Sequence, residues 1–285
     1  MRLAFLGSPA PAVPFLRALV EAGHTVAIVV SQPDKRRGRG SEVTPSPVKA
    51  AALDLGLAVT DKVDDVLEAN VELGVVVAFG RIIKPHLLEQ VPMINVHFSL
   101  LPRWRGAAPV ERAILEGDAE TGVCIMALEE GLDTGPVYAC ERLDISADET
   151  AEQLRNRMVD HGVRLLLDTL ERGLGTATPQ EGDATYAAKL EHDDHHLAWD
   201  RPADELHRVV RVGRAWTSFR DRNFRVHRAV PVDSEAGPGE LDGLVVGAGD
   251  GRGLLLQEVQ PEGKARQAAE AWRNGARIEP GERFG

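Results

Sequence analysis

The chain has 285 residues, 43% of them hydrophobic and 27% charged, which suits a globular protein of two domains with a sizeable core. Its net charge of −11 argues against general affinity for nucleic acid, although local basic surfaces remain possible. No apolar run approaches the roughly 20 residues of a membrane helix, and the first apolar stretch is too short for a signal peptide. Two cysteines, Cys124 and Cys140, give no framework of disulfides, and the sequence predicts a cytoplasmic protein without membrane binding.

The first half of the chain alternates strand and helix patterns. The apolar runs Arg2–Leu6 and Thr25–Val30 are typical of buried parallel strands, and the spacing predicts an amphipathic helix between them from about Ala12 to Ala22. Further elements are predicted at Ser46–Leu57, Val75–Phe79, Met93–Phe98, Ala107–Glu116, Val123–Leu128, Val137–Arg142 and Thr150–Gly173. This repetition predicts a Rossmann-like, doubly wound α/β domain, which binds ligands beyond the carboxyl ends of its strands.

The second half is rich in short strands and glycine turns. We place a first domain at residues 1–190, a linker at 191–205 within the polar stretch Glu181–Asp204, and a second domain at 206–285. Its predicted elements are a helix at Pro202–Gly213 and strands at Phe224–Ala229, Leu244–Val246 and Leu254–Val259. These short strands predict a small, OB-like β-barrel or sheet.

The turn after the first strand lacks the glycine pattern of a dinucleotide site. Pro9 and Ala12 stand where such a loop would carry its second and third glycines, counted from Gly7. We therefore expect no NAD or FAD. The turn Gly7–Pro9 either lines a substrate pocket or is a plain tight turn, and the sequence favours neither.

Asn95, His97 and Asp133 are the candidate catalytic residues. Strand alternation puts Asn95 and His97 on one side of the backbone, and Asp133 lies in a short loop between Gly131 and Gly135. An amide can hold an oxyanion, an imidazole can move a proton, and a carboxylate can orient the imidazole. A lone histidine in a strand is more often structural, so the residues alone leave both interpretations evenly balanced.

A resemblance to a known family favours the catalytic interpretation. The run Asn95–Pro109, with the sequence NVHFSLLPRWRGAAP, resembles the central motif of the folate-dependent formyltransferases. The segments Ser31–Lys49, Thr121–Gly135 and Glu258–Lys264 also resemble that family, so the resemblance covers nearly the whole chain. In particular, it resembles the members that act on methionyl-tRNA.

The chain departs from the family pattern in three places. Phe98 stands where the family usually has a small residue, and Phe79 stands where tyrosine is more usual. The C-terminal region is shorter than usual around Gly237–Leu244.

The resemblance implies an enzyme that takes a formyl group from 10-formyltetrahydrofolate, its co-substrate, and gives it to initiator methionyl-tRNA for translation initiation. Asn95 would hold the oxyanion, His97 would relay a proton and Asp133 would orient His97, without a metal. We expect a monomer. The implied folate contacts are Phe79, Gly80, Ile82, Ser99, Leu100, Leu101, Pro102 and Leu132.

Two basic segments are candidates for tRNA contact. Lys35–Gly40 holds four cations, and its default interpretation is solvated surface; the resemblance instead implies tRNA contacts by Arg36, Arg37 and Arg39. Arg201–Arg228 has a net charge of +5, from eight arginines and three acidic residues, which predicts a backbone-binding face that includes Arg208 and Arg211.

Other functions remain open at this point. The main alternative is a nucleotide-sugar N-formyltransferase with the same Asn, His and Asp, which would need neither basic segment. A purine-pathway formyltransferase would normally lack the second domain, and a non-catalytic tRNA-binding protein would not need the three catalytic residues. The run His192–His196 could suggest a metal site, but its tight spacing favours a solvated charge run.

Overall fold

The computed structural model describes residues 1–36, 43–279 and 281–285, and the chain forms two compact units. The first unit comprises Met1–Val110, Glu120–Asp144 and Leu154–Ala188. The second comprises Glu111–Ala119, Ile145–Gln153 and Lys189–Gly285. Two short segments that precede residue 154 therefore belong to the second unit, which a division at one linker does not anticipate.

The first unit is an α/β unit. Its strands are β1 (Arg2–Gly7), β2 (Thr25–Val30), β3 (Lys35–Arg36), β4 (Val43–Thr44), β5 (Val59–Thr60), β6 (Leu73–Val77), β7 (Met93–His97), β8 (Arg105–Gly106), β9 (Glu120–Ala127), β10 (Val137–Asp144) and β11 (Tyr186–Ala187). The helices between these strands in the sequence are α1 (Val13–Glu21), α2 (Pro47–Asp54), α3 (Pro85–Leu88), α4 (Pro109–Glu116) and α5 (Ala151–Glu171). Most of α4 and the first three residues of α5 lie in the second unit.

A seven-stranded sheet forms the centre of the first unit, in the order β10-β9-β7-β6-β1-β2-β5. The five strands β5, β2, β1, β6 and β7 are parallel to one another. Strand β9 is antiparallel to both of its neighbours, β7 and β10. In β1, Leu3 to Leu6 are all fully buried, and Ala4 and Leu6 share a core cluster with Leu87 of α3. Burial of these four residues explains why they form a continuous apolar run. The predicted Rossmann-like fold is confirmed.

The turn after β1 is shaped by close packing. A Cβ atom on Gly7 would lie 2.9 Å from Phe5 Cε1 and 3.0 Å from the Val77 carbonyl oxygen, so the position admits only glycine without a shift of the backbone. Ser8 Oγ accepts a hydrogen bond of 3.1 Å from the Gln32 amide at the end of β2. This turn therefore has a structural role in joining two strand ends.

Cys124 and Cys140 are directly opposite each other in the β9–β10 pair, and they form a disulfide with a Cα–Cα distance of 4.1 Å. The count of two cysteines argued against a framework of several disulfides, and it did not anticipate this single cross-strand bond. The bond closes the chain around the loop that carries Asp133.

The second unit is mainly antiparallel. Its elements are α6 (Ala203–Val212), β12 (Trp216–Phe219), β13 (Arg222–Asp233), β14 (Leu241–Asp242), β15 (Val245–Gly247), β16 (Arg252–Pro261), β17 (Gln267–Ala268) and α7 (Ala269–Ala276). The sheet order is β12-β13-β16-β15-β14, and β17 pairs with β16. Four aromatic rings meet in its core, from Phe219, Phe224, Trp272 and Phe284. This agrees with the predicted small β domain.

The predicted linker at 191–205 packs into the second unit. Leu197 and Trp199 are buried in its core, and the Trp199 indole donates a hydrogen bond of 2.9 Å to Thr217 Oγ1. The neighbouring histidines are not a simple solvated run, since His192 stacks on Trp216 with ring centroids 4.4 Å apart. The stretch is polar in composition but folded, because its few apolar residues point into the core.

Candidate active site

Asn95 and His97 lie near the carboxyl end of β7. They face across to Met126 and Cys124 of β9, at alternate positions of one strand. His97 is buried and Asn95 is half-buried. The sequence pattern therefore gave the right strand and the right relation between the two side chains.

The two ring nitrogens of His97 have different partners. Nε2 lies 2.9 Å from the carbonyl oxygen of Trp104. A carbonyl oxygen only accepts, so Nε2 must carry the hydrogen of this bond. Nδ1 faces Asp133, with 3.7 Å between Nδ1 and Oδ2, and the two side chains are only 6% and 13% exposed. Nδ1 is therefore the nitrogen that is free to take up or give a proton beside a carboxylate.

The loop after β7 presents the Trp104 carbonyl to His97. Trp104 has a left-handed backbone with φ of 61°, and its amide donates to Thr185 Oγ1 at 2.9 Å. Ser99 is fully buried and its hydroxyl donates to the Arg103 carbonyl at 2.6 Å. The Ser99 hydroxyl is therefore used inside the loop, and the predicted folate contact of Ser99 stays a prediction for its backbone.

Asp133 sits at a tight turn. Its backbone is left-handed, with φ of 50°, and Oδ2 accepts a hydrogen bond of 2.7 Å from the Gly106 amide. A Cβ atom on Gly135 would lie 2.0 Å from the Ala127 carbonyl oxygen, so glycine is required there. The flanking glycines thus have the close-approach role that their spacing indicated.

Three residues at this site were not predicted from the sequence as functional. Gln180 contacts the backbone of the Asp133 turn, Arg105 contacts Gln180, and Thr185 contacts Trp104. The segment 178–187 that supplies Gln180 and Thr185 carries no motif. Its only sequence signal was the polarity that suggested a linker beginning nearby.

The predicted folate residues fall into two groups. Ile82 is 88% exposed and Leu132 is 61% exposed, which leaves two large apolar side chains available to a ligand. Gly80 follows β6 with φ of 69°, and the segment Leu100–Pro102 is half-buried. Phe79 is a buried core residue, so its predicted folate contact stays a prediction for its backbone.

A separate cleft of about 350 Å³ lies beyond the ends of β2 and β5. Its walls include the ion pair between Lys49 Nζ and Asp34 Oδ2, at 2.8 Å. None of its lining residues is a predicted folate contact. They are Ser31, Gln32, Pro33, Asp34, Lys49, Val59, Thr60 and Asp61.

The predicted tRNA contacts are placed only in part. Arg37 and Arg39 lie outside the described residues, and Arg36 is described only as part of β3. Arg208 is half-buried beside Gly117. Arg211 is 8% exposed, and its guanidinium donates to the carbonyls of Glu149 and Ser146, both at 2.9 Å.

This corrects the expectation for Arg211, because a buried guanidinium with two internal partners is not presented to a phosphate. Burial also lowers the pKa of Arg211, against the opposing effect of Asp148 and Glu149. Arg222, Arg225 and Arg228 of β13 are exposed instead.

Within residues 1–36, 43–279 and 281–285, no three His, Cys, Asp or Glu side chains are grouped so that they could hold a metal ion. In the same residues, no helix has the length and apolar character needed to cross a membrane.

Family models of formyltransferases match this chain in both halves. The formyl transferase domain matches residues 1–170, and the formyl transferase C-terminal domain matches residues 189–277. The chain belongs to the formyltransferase family. The resemblance of the motifs is confirmed over more than half of the chain.

Relatives within the family share the full length of the chain. A protein from Symbiobacterium thermophilum named methionyl-tRNA formyltransferase is 43% identical over 100% of this chain and 95% of its own length. A protein of the same name from Thermus thermophilus is also 43% identical, over 100% of this chain and 99% of its own. These matches include the C-terminal region that contains Gly237–Leu244.

Solved structures share the fold. An N-formyltransferase from Helicobacter canadensis, in complex with folinic acid and dTDP-3-aminofucose, has a TM-score of 0.70 at 18% identity, over 90% of this chain and 98% of its own. A methionyl-tRNA formyltransferase from Clostridium thermocellum has a TM-score of 0.60 at 17% identity, over 81% and 93%. At such identities the likeness concerns the fold alone.

Proposed function

We propose that the protein transfers a formyl group from 10-formyltetrahydrofolate to the α-amino group of methionine on initiator tRNA, for translation initiation. The observation that carries this proposal is the 43% identity to proteins named methionyl-tRNA formyltransferase over 100% of the chain. The arrangement of Asn95, His97 and Asp133 supplies groups suited to that chemistry.

The reaction needs a neutral amine and a way to move one proton. The α-amino group has a reference pKa of about 7.7–8.0, so a useful fraction is neutral near neutral pH. Its lone pair attacks the formyl carbon, which gives a tetrahedral intermediate with a negative oxygen. The bond from carbon to N10 then breaks, and the proton lost by the amine ends on N10.

Each of the three side chains has a distinct role in this proposal. The Asn95 amide donates to the negative oxygen, and such a donor typically contributes about 10²–10³ in rate. His97 Nδ1 carries the proton, since its Nε2 is held by the Trp104 carbonyl. Asp133 faces Nδ1 at 3.7 Å, where its carboxylate orients the imidazole and attracts the positive charge that the ring gains while it holds the transferred proton.

Substrate binding is assigned to residues outside these three. Ile82 and Leu132 expose apolar surface that suits the folate ring, together with Gly80 and the segment Leu100–Pro102. We assign tRNA contact to Arg36, Arg37 and Arg39 from the family resemblance, and to Arg208. The proposed enzyme is a monomer and uses no metal.

Formyl transfer from 10-formyltetrahydrofolate tests the proposal, with charged initiator tRNA and a nucleotide-linked amino sugar offered in parallel. Only the methionyl-tRNA should be formylated, and Asn95→Ala should reduce its turnover by about 10²-fold or more. Formylation of the amino sugar with none on tRNA would establish the alternative function instead.

A further inference from the structure

Gln180 holds the backbone of the turn that carries Asp133. Its Nε2 donates to the carbonyl oxygens of Asp133 and Gly135, both at 2.8 Å. A primary amide has two donor hydrogens, so both are used on this turn. Gln180 is half-buried, and hydrogen bonds are stronger in such a place than in open water because the local dielectric constant is lower.

The orientation of the Gln180 amide is fixed by Arg105. The Oε1 atom accepts two hydrogen bonds from the guanidinium, at 3.1 Å from Nε and 2.7 Å from Nη2. Arginine only donates and carbonyls only accept, so the reversed amide would lose all four contacts. The Gln180 amide therefore has only one orientation in which it binds both Arg105 and the Asp133 turn.

The ends of the segment 178–187 are also held. Thr178 and Val137 exchange two backbone hydrogen bonds of 2.8 Å at the start of β10. At the other end β11 pairs with β8, and the Arg105 amide donates to the Thr185 carbonyl at 2.9 Å. Gln180 thus lies between two anchored points.

Two bridges join the β8 segment to the Asp133 turn. The Gly106 amide binds the Asp133 carboxylate at 2.7 Å, and the neighbouring Arg105 binds the same turn through Gln180. The first bridge fixes the side chain of Asp133 and the second fixes its backbone, which has φ of 50°. On the turn held by these two bridges, Asp133 Oδ2 lies 3.7 Å from His97 Nδ1.

We propose that Gln180, held by Arg105, is a positioning residue that sets the Asp133 carboxylate against His97 Nδ1. It acts through Asp133, since its amide hydrogens bind the carbonyls of the Asp133 turn. This inference rests on the proposed function, since it requires that Asp133 assist His97 during formyl transfer.

The test substitution is Gln180→Met, which keeps the length of the side chain and removes the amide without adding charge. Turnover on methionyl-tRNA should fall by about tenfold or more, since a misplacement of about 1 Å can lower rates by about 10²-fold. The KM values for folate and tRNA should stay within about twofold. Gln90→Met is the matched control, because exposed Gln90 also donates to a backbone carbonyl, that of His86.

A double-mutant cycle with Asp133→Asn distinguishes positioning from general support of the fold. The rates are measured in single turnover with enzyme in excess, so that slow variants remain measurable. Gln180→Met should add little loss in the Asp133→Asn background, because the group that it positions has already lost its charge. Thermal unfolding of each variant shows whether the fold is intact.

The proposal is overturned by an equal loss in both backgrounds, by raised KM values with unchanged kcat, or by normal turnover of Gln180→Met. Full activity of Asp133→Asn would instead refute the proposed role of Asp133, on which the positioning depends. Absence of formylation on methionyl-tRNA by the unsubstituted enzyme would refute the proposed function itself.

Discussion

Replacing Asp133 with asparagine removes one charge and little else. Asparagine adopts the left-handed backbone that Asp133 requires, and its amide oxygen can still accept from the Gly106 amide. What is lost is the attraction between the carboxylate and a charged His97 at 3.7 Å. We expect turnover to fall while the fold and substrate binding are kept.

The size of the loss follows from Coulomb's law. Unit charges at the observed 3.7 Å attract by about 1 kcal/mol in bulk water and by about 4 kcal/mol at an effective dielectric constant of about 20. These energies correspond to factors of about 5 and about 10³ in rate, since about 1.4 kcal/mol is tenfold. Both side chains are mostly buried, so the higher half of this range, about 10²-fold or more, is expected.

Single-turnover formylation of methionyl-tRNA is the assay, because it isolates the chemical step from product release. Asp183→Asn is the control, since it removes the same charge from an exposed position in the same unit. If Asp133→Asn transfers formyl groups within about twofold of the unsubstituted rate, the carboxylate is structural and the electrostatic reasoning fails.

Three further predictions concern the second unit. Phe224→Ala should lower the free energy of unfolding by about 3–5 kcal/mol in urea titrations, because Phe224 packs within 6.1 Å of the rings of Phe219, Trp272 and Phe284; a loss below about 1 kcal/mol would contradict this packing. Arg225→Ala should weaken tRNA binding and reduce the salt dependence of that binding, because Arg225 is exposed. Arg211→Ala should lower the melting temperature and leave the salt dependence unchanged, because the Arg211 guanidinium binds two internal carbonyls. A reduced salt dependence of tRNA binding in Arg211→Ala would show that Arg211 reaches the tRNA. Burial, and secondarily Arg211, lower the pKa of His207, and Asp148 and Asp204 oppose this shift. As the pH falls, His207 therefore takes up a proton in the unfolded chain before it does so in the folded protein. The free energy of unfolding should therefore be highest above about pH 6.5 and fall below it, and His207→Leu should flatten that fall; an equal pH dependence in both proteins would rule out His207 as its source.

Elements with a long or continuous apolar pattern were predictable from the sequence. Thr25–Val30 is a strand with the predicted bounds, and the helix predicted at Thr150–Gly173 spans Ala151–Glu171. The two-residue strands β8 and β11 were not predictable, because two residues carry no periodicity. They form only when distant parts of the chain meet, which also brings Gln180 to the Asp133 turn.

The tRNA-binding prediction for Arg211 shows what charge counting misses. Net charge does not distinguish a buried arginine from an exposed one, and eight arginines in one stretch were treated alike. The helical spacing does indicate that Arg211 is buried, since it places Arg211 on the same face of α6 as the buried residues Leu206, His207 and Val210. For Gln180 no comparable signal existed, because its role depends on backbone carbonyls of another segment.

The segment 178–187 also determines where a shortened version of this protein could end. The first family model stops at residue 170, after Asn95, His97 and Asp133. A fragment ending there would keep all three side chains and lose the partner strand of β8, the Thr185 hydroxyl at Trp104 and the Gln180 amide at Asp133. The smallest fragment with an intact site must therefore continue through Ala187, where β11 ends.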